Sequence, residues 1–552
     1  MSKRSGMVTK VLSVVTAMAI LAGCSGGSKS GDKPAGEQPQ TQNPAPAPAK
    51  KNLDVTIAMW SPPNNFSPIN TDSSYGYFAV EAMFDTLVKV NDKIDFVPKL
   101  AEKWDVSKDF TTFTFHLNPK AKWHDGKPVT AKDVVYTFNL IANKETVTNR
   151  GATINLIKGT DAGGKADGPV EGVKALDEKT VQFVAKKAVD PLAFLEKVGA
   201  NIYILPEHVL GAVAPKDLTT HAFFQEPKVG SGPFKFVKYA SGQYIEYARN
   251  EEYYLGAPKL ERLFIRIMQA NTAVAALEKG EVDMTAGAGI GEIPIQDWDK
   301  VQTLSNMNAL TFVTKGYQYM DFNHTRDYFK DPKVRQAFFY GINRKLIVDN
   351  LLKGTGVVLE SPYTPIYKYV NTNLKPRGFD ANQAKKLLTE AGWDFNRELA
   401  LIVPIGNKVR EQSADIIMAN LQQVGVKVKI EKMDFPTLQA RRGKGDYDMS
   451  LIGWSDILDP DVSSQYRTDA VYNNGKYSRP KVDELLDQGA TTAEFQARKK
   501  IYDELQEIWY NDPNVVYLYS PNALTAVSKR MENVKMSAMG LLWNIHEWDV
   551  KQ

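Results

Sequence analysis

Residues 100–138 read LAEKWDVSKDFTTFTFHLNPKAKWHDGKPVTAKDVVYTF, and this stretch decides the fold class. From Phe110 to Leu117 apolar and polar residues alternate, the period-two pattern of a strand with one buried face. Trp123, Asp125 and Gly126 then read as a turn rather than as a catalytic or metal site. Thr130-Ala131-Lys132-Asp133 starts a helix that runs through Val134, Val135, Phe138 and Leu140. Strand, turn and helix in such close succession predict a mixed α/β body.

The same alternation continues outward. Leu53–Ala58 (LDVTIA) opens the body as a strand. Ala273–Lys279 is a short helix closed by Gly280, and Glu281–Met284 leads into a strand. Lys333–Leu352 is helical, broken near Gly341, with Asn343 able to cap its second half. Asn382–Ala391 forms a further helix stopped by Gly392. Gln412–Val424 is another, followed at Gly425 by the strand Val426–Ile430. No internal repeat of fixed period is present.

The formal charge of +4 is the balance of 68 basic and 64 acidic residues, with no basic block, so a nucleic-acid partner is not expected. The body from about Leu53 onward exceeds the ~250–300 residues at which a single core stops growing, so two or more lobes are expected. Cys24 is the only cysteine. The body therefore has no disulfide, and its stability must come from core size.

The N-terminal region reads differently. Lys3, Arg4 and Lys10 precede the apolar run VLSVVTAMAILAGC at residues 11–24. That run is too short to cross about 30 Å of hydrocarbon and ends in small residues, as a cleavage site does. Leu21-Ala22-Gly23-Cys24 resembles a bacterial lipobox. The resemblance implies that residues 1–23 are a signal peptide and that Cys24 is lipidated and becomes the mature N-terminus. Residues 25–51 carry no aromatic side chain and no aliphatic one larger than Ala, too little apolar surface to offset ordering entropy. Pro44, Pro46 and Pro48 stiffen this segment. Residues 24–51 are thus expected to be a tether, holding the body on the extracytoplasmic face of the cytoplasmic membrane.

Several blocks of the body carry a family resemblance. Residues 100–138 resemble the signature of the family 5 extracellular solute-binding proteins, the peptide- and nickel-binding components of ABC importers. In the same order follow Gly230-Ser231-Gly232-Pro233-Phe234, NEEYYLGAPKLERLFIRI at 250–267 and ALEKGEVDM at 276–284. After these come DPKVRQAFFYGINRKLIVDNLLKGTG at 331–356, LLTEAGW at 387–393, LQQVGVKVKI at 421–430 and DYDMSLIGWSDILDPD at 446–461. The resemblance implies an α/β, two-lobed periplasmic-binding-protein-like clamp with a hinge of two crossing segments and an extra subdomain inserted in the first lobe. Mapped here, the first lobe comprises 52–88, 226–315 and 519–552, the insertion 89–225, and the second lobe 316–518. The hinge falls near Thr314-Lys315-Gly316 and Tyr519-Ser520-Pro521.

The resemblance also implies site residues. In peptide-binding relatives an Asp just after the Gly-Trp pair accepts the ligand's α-ammonium group, and that position is Asp456. A carboxylate in a water-poor cleft holds an ammonium through charge-assisted hydrogen bonds. Trp454 either packs in the core or lines the pocket. Trp60 and Asn64 follow the first strand, where the first lobe meets the cleft, and Tyr317 and Tyr319 flank the hinge as cleft or core residues. Asp459 and Asp461 more readily shape a turn around Pro460. Some oligopeptide binders carry Arg three residues before the Trp to meet a short peptide's C-terminal carboxylate; here that residue is Leu451. Its absence suits a longer peptide with a free C-terminus, or a ligand that is not a peptide.

Enzymatic readings find little support. The six histidines show no metal-type spacing, no Gly-x-Ser-x-Gly elbow occurs, and the glycines of residues 285–291 do not follow a dinucleotide fingerprint. The expected function is a monomeric, lipid-anchored receptor without catalytic activity, cofactor or metal, which captures peptides and delivers them to ABC permease subunits with their ATPases. A nickel chelate, an oligosaccharide or an opine-like compound is the alternative cargo. A peptide-sensing lipoprotein without transport is the alternative role.

Overall fold

The computed structural model describes residues 53–71, 73–455 and 457–551. The signal segment, Cys24, the tether and Asp456 lie outside the described residues.

The stretch that fixes the fold class forms a strand and a helix. In the strand Thr112–Leu117, Phe113, Phe115 and Leu117 are buried while the residues between them are half-buried. The helix Ala131–Ala142 starts where Asp133 Oδ2 accepts the Thr130 N–H at 2.8 Å. The strand is central in a four-stranded antiparallel sheet ordered Ala101–Val106, Thr112–Leu117, Thr180–Val184, Val173–Ala175. The other sequence-read helices run Ala270–Glu278, Pro332–Gly341, Ala381–Glu390 and Lys408–Gln423. Asn343 Oδ1 accepts the Leu346 N–H at 2.9 Å, the cap its position predicts. Gly425, at φ 88°, takes the left-handed conformation that ends the 408–423 helix and frees the chain for the strand Lys427–Met433.

The main sheet holds two sets of parallel strands joined through one long strand. On one side Asp54–Met59 lies parallel to both Arg262–Ile267 and Met284–Thr285. On the other, Glu398–Pro404 lies parallel to Lys427–Met433 and to Met449–Ser455. Between them runs Val515–Ser528, 14 residues long. Its first half pairs with Gly316–Phe322 and Gly356–Val358, its second half with Met307–Val313. The chain therefore passes from one half to the other twice, at 314–316 and at 520–522. The two passages are bonded together: Ser520 Oγ donates to the Gly316 carbonyl at 2.7 Å, and Thr314 Oγ1 to that of Pro521 at 3.0 Å.

Apolar burial follows this division. One continuous core gathers side chains from Tyr317 to Tyr519. A second gathers Val55, Ile57, Met83 and Phe84 with Trp548 near the C-terminus, and it includes Phe113, Phe138, Phe183 and Phe194. The four-stranded sheet thus shares the core of the first half. A smaller cluster packs Ala273, Leu277, Trp298 and Val301 on the opposite face of the first sheet.

Two sequence blocks meet in this packing. His124 accepts the Gly230 N–H at its Nδ1 (3.1 Å), and its Nε2 donates to the Gly232 carbonyl (3.0 Å). Burial lowers its pKa to about 4, consistent with a neutral ring that both accepts and donates. A Cβ on Gly232 would lie 2.6 Å from the Met83 carbonyl carbon, so only glycine fits that approach.

Candidate ligand-binding site

In open α/β sheets, ligands gather beyond the carboxyl ends of the parallel strands. In this protein the carboxyl ends of both parallel sets lead to one cavity of about 380 Å³ beside the crossing strands. Glu292 and Ile293 come to it from the turn after Met284–Thr285. Asn407 and Val409 come from the loop and helix after Glu398–Pro404. Tyr519 and Asn522 come from the crossing strand itself.

Trp60 stands at the first-half rim. Its N–H donates to the Ile290 carbonyl (2.9 Å) and its Nε1 to that of Glu292 (3.1 Å), so the half-buried indole is fixed to the glycine turn that ends at the cavity. Asn64 is exposed in the following loop. Across the hinge, Gly453, Trp454 and Ser455 pair with Gln318, Tyr317 and Gly316. The strand that leads into Asp456 therefore ends opposite the crossing point. Trp454 is half-buried, with its ring 5.1 Å from that of the exposed Tyr472. Tyr317 belongs to the second core: it is 1% exposed, and its hydroxyl meets Gln465 and Tyr466 at 3.2 Å. Tyr319 is also buried and lies beside Asp321 and Arg442, a buried ion pair at 2.9 Å.

The structure brings together residues that the sequence reading did not single out. Arg410 Nε donates to Gln318 Oε1 at 2.8 Å, and among the described residues it forms no ion pair with a carboxylate. Burial lowers its pKa. Glu292 directly follows the glycines of residues 285–291, and no local sequence signal marks it as a site residue.

A second, separate contact joins segment 89–225 to segment 316–518. Arg498 donates from Nη1 to Asp190 Oδ2 and from Nη2 to Asp459 Oδ1, both at 2.7 Å, and Tyr369 donates to Asp190 as well. The Glu196 carboxylate accepts the N–H groups of Leu458 (2.8 Å) and Asp459 (3.2 Å). Burial raises Asp459, but Arg498 and Lys197 outweigh it and hold its pKa below the usual carboxylate value. Burial raises that of Glu196. Asp459 does shape the turn around Pro460, its Oδ1 accepting the Asp461 N–H at 3.2 Å, and it is also half of a buried ion pair. Its partners are hundreds of residues away or on another helix, and no local sequence signal announces them.

Among the described residues no group of three or more His, Cys, Asp or Glu could hold a metal ion, and no helix is long and apolar enough to cross a membrane.

Known proteins place this architecture. The chain belongs to the bacterial extracellular solute-binding proteins, family 5, whose middle-region model matches residues 95–476. It is similar to the oligopeptide-binding protein AppA of Bacillus subtilis, 27% identical over 569 residues and covering 99% of each chain. The crystal structure of that protein with a nonapeptide aligns with a TM-score of 0.67 at 25% identity, over 90% of this chain and 99% of that one. The substrate-binding protein CtaP of Listeria monocytogenes aligns at 0.78 and 26% identity, over 90% and 99%. NikZ of Campylobacter jejuni, solved with Ni(L-His), aligns at 0.69 and 25%, over 91% and 100%. The fold is accordingly the two-lobed α/β clamp of periplasmic binding proteins.

Proposed function

We propose that this chain is the substrate-binding lipoprotein of an ABC importer, which captures peptides outside the cytoplasmic membrane and presents them to permease subunits. The observation that carries the reading is the 380 Å³ cavity at the carboxyl ends of both parallel sets, lined by residues of both halves. A ligand seated there touches both lobes, and it favours closure by as much as its contacts in the closed state exceed those in the open one. Micromolar binding supplies about 8 kcal/mol, enough to hold closure and still release. The moving bodies are 52–88 with 226–315 and 519–552, carrying the insertion 89–225, against 316–518. Anchorage is through Cys24. No catalytic step is assigned to any residue.

In this reading Asp456 takes the peptide's α-ammonium group. Trp60, Asn64 and Trp454 form the rim, and Tyr317 and Tyr319 support it from beneath. Truncating one partner of a desolvated charge pair costs ~2–5 kcal/mol. Asp456→Asn should therefore weaken a free-amine peptide by roughly 30-fold or more, and N-acetylation should do the same to the wild type. Calorimetric titration of free and acetylated peptide into both proteins tests this. Equal affinity in all four combinations removes Asp456 from the site. The match to NikZ keeps a metal chelate as the second cargo, and native mass spectrometry of protein from its own host distinguishes the two.

A further inference from the structure

The first-lobe wall of the cavity presents hydrogen-bond acceptors that the protein leaves without a cation. Glu292 lines the cavity, and its carboxylate accepts the Gly289 N–H at 3.0 Å and the Leu524 N–H. No Lys, Arg or His among the described residues forms an ion pair with it. No charged neighbour offsets its burial, which raises its pKa. Asn522, two residues before Leu524 on the same strand, lines the cavity too, and its Oδ1 is buried without a hydrogen-bond partner. Glu292 and Asn522 both line this cavity, so both acceptors belong to its wall. The rest of that wall (Ile293, Pro294, Ile295, Leu524) is apolar. The Arg410 guanidinium is hydrogen-bonded to Gln318, which lines the opposite side of the cavity.

Half-buried acceptors of this kind suit a group with several donors and a positive charge, because a carboxylate partly withdrawn from water is costly until it is paired. We propose that Glu292 and Asn522 form a cation subsite, which selects peptides carrying a lysine or arginine side chain at the position that reaches the first-lobe wall. The ammonium or guanidinium group donates to the Glu292 carboxylate and to Asn522 Oδ1, while the apolar wall covers the methylene stem. The subsite rests on the peptide-receptor reading and adds a sequence preference to it. It is separate from the α-ammonium position assigned to Asp456.

The test uses glycine–alanine hexapeptides in which one lysine, or one norleucine of similar shape, occupies each position in turn. These are titrated calorimetrically into the wild type, Glu292→Gln and Asn522→Leu. A charged hydrogen bond contributes ~1.5–3 kcal/mol, so at one position lysine should exceed norleucine by about tenfold or more in the wild type. Glu292→Gln should abolish that ratio while still binding the norleucine peptides, which also shows that the variant is folded. Asn522→Leu should reduce it, and Glu292→Asp should retain part of it. A lysine-to-norleucine ratio near one at every position in the wild type overturns the subsite but leaves the peptide receptor standing. So does a ratio unchanged by Glu292→Gln. Failure of every hexapeptide to bind the wild type overturns the peptide reading and the subsite together.

Discussion

The two halves of the molecule touch in two kinds of place, and the contrast between them is chemical. At the Arg498 joint the buried carboxylates are all held by donors that the protein itself supplies: one guanidinium bridges Asp190 and Asp459, and Glu196 closes on two backbone N–H groups. At the cavity beside the crossing strands, Glu292 and Asn522 on one side and Arg410 on the other have no charged partner among the described residues. Both regions join the halves; one is complete in the protein alone, and the other requires something brought from outside. Buried charge that the protein pairs for itself holds a structure together, whereas half-buried charge left unpaired at a cavity wall marks where a ligand goes.

The comparison breaks most sharply at Arg498. Arg498→Leu leaves Asp190 and Asp459 buried without a cation, and removing one partner of such a set costs ~3–5 kcal/mol. Urea denaturation should show that loss; a change under about 0.5 kcal/mol would mean the joint is ornamental. Acid gives the next largest effect. His124 fastens the insertion to residues 230–232 as a neutral ring with a pKa of about 4. Its ordinary value is near 6.5, so between those limits the unfolded chain binds a proton that the native one refuses. Stability is full above pH ~6.5 and falls as pH drops toward 4, by roughly 3 kcal/mol from this group. His324 and His546, lowered to about 3 and about 4 by burial, add slopes of the same sign. The measured quantity is therefore the wild type minus His124→Gln, which should converge at low pH; parallel profiles would refute the assignment. Tyr317→Phe, which loses the hydroxyl shared with Gln465 and Tyr466, should cost about 1 kcal/mol in the same assay.

The smallest effect is the most diagnostic. Glu292→Gln should change stability by less than about 1 kcal/mol at pH 7, or raise it, since the amide oxygen still accepts two N–H groups and no ion pair is lost. The sign follows from linkage. A carboxyl whose folded pKa is raised costs stability above its unfolded value, near 4.5, and that cost vanishes on replacement. Asp459, whose pKa is lowered, contributes stability above its ordinary 3.8 that is lost as pH falls through the folded value. On acidification the cavity carboxyl is therefore neutralised before Asp459, so preference for a cationic peptide should fade while the Arg498–Asp459 ion pair persists. Simultaneous loss of both would erase the distinction.

Much of the architecture is legible in local pattern. The alternation in 112–117, the cap at Asn343 and the glycine stops at Gly392 and Gly425 are short-range effects, and the structure places them where the pattern does. The two-lobed fold came from the family blocks, because nothing local says that Val515–Ser528 will be the middle strand of both halves. At the site, the sequence points to the neighbourhood of the cavity through Trp60 and the strand ending at Ser455, but Tyr317 turns into the core. Which side a strand residue faces depends on partners such as Gln465 and Tyr466, 148 and 149 positions away. Glu292, Asn522 and Arg498 were invisible for the same reason: a charge declares itself paired or unpaired only when distant chain has closed around it.

The long strand Val515–Ser528 also sets a timetable. It supplies the central ladder partner of residues 307–322 and borders Met284–Thr285, yet it is made after more than nine-tenths of the chain. The ladders that join the two halves cannot close until that segment has left the ribosome, and non-local ladders of this kind are slow to form in any case. The nascent chain should thus stay loosely structured through most of its synthesis and settle in a late, joint step, which leaves time for other machinery to act on it while it is still threadable.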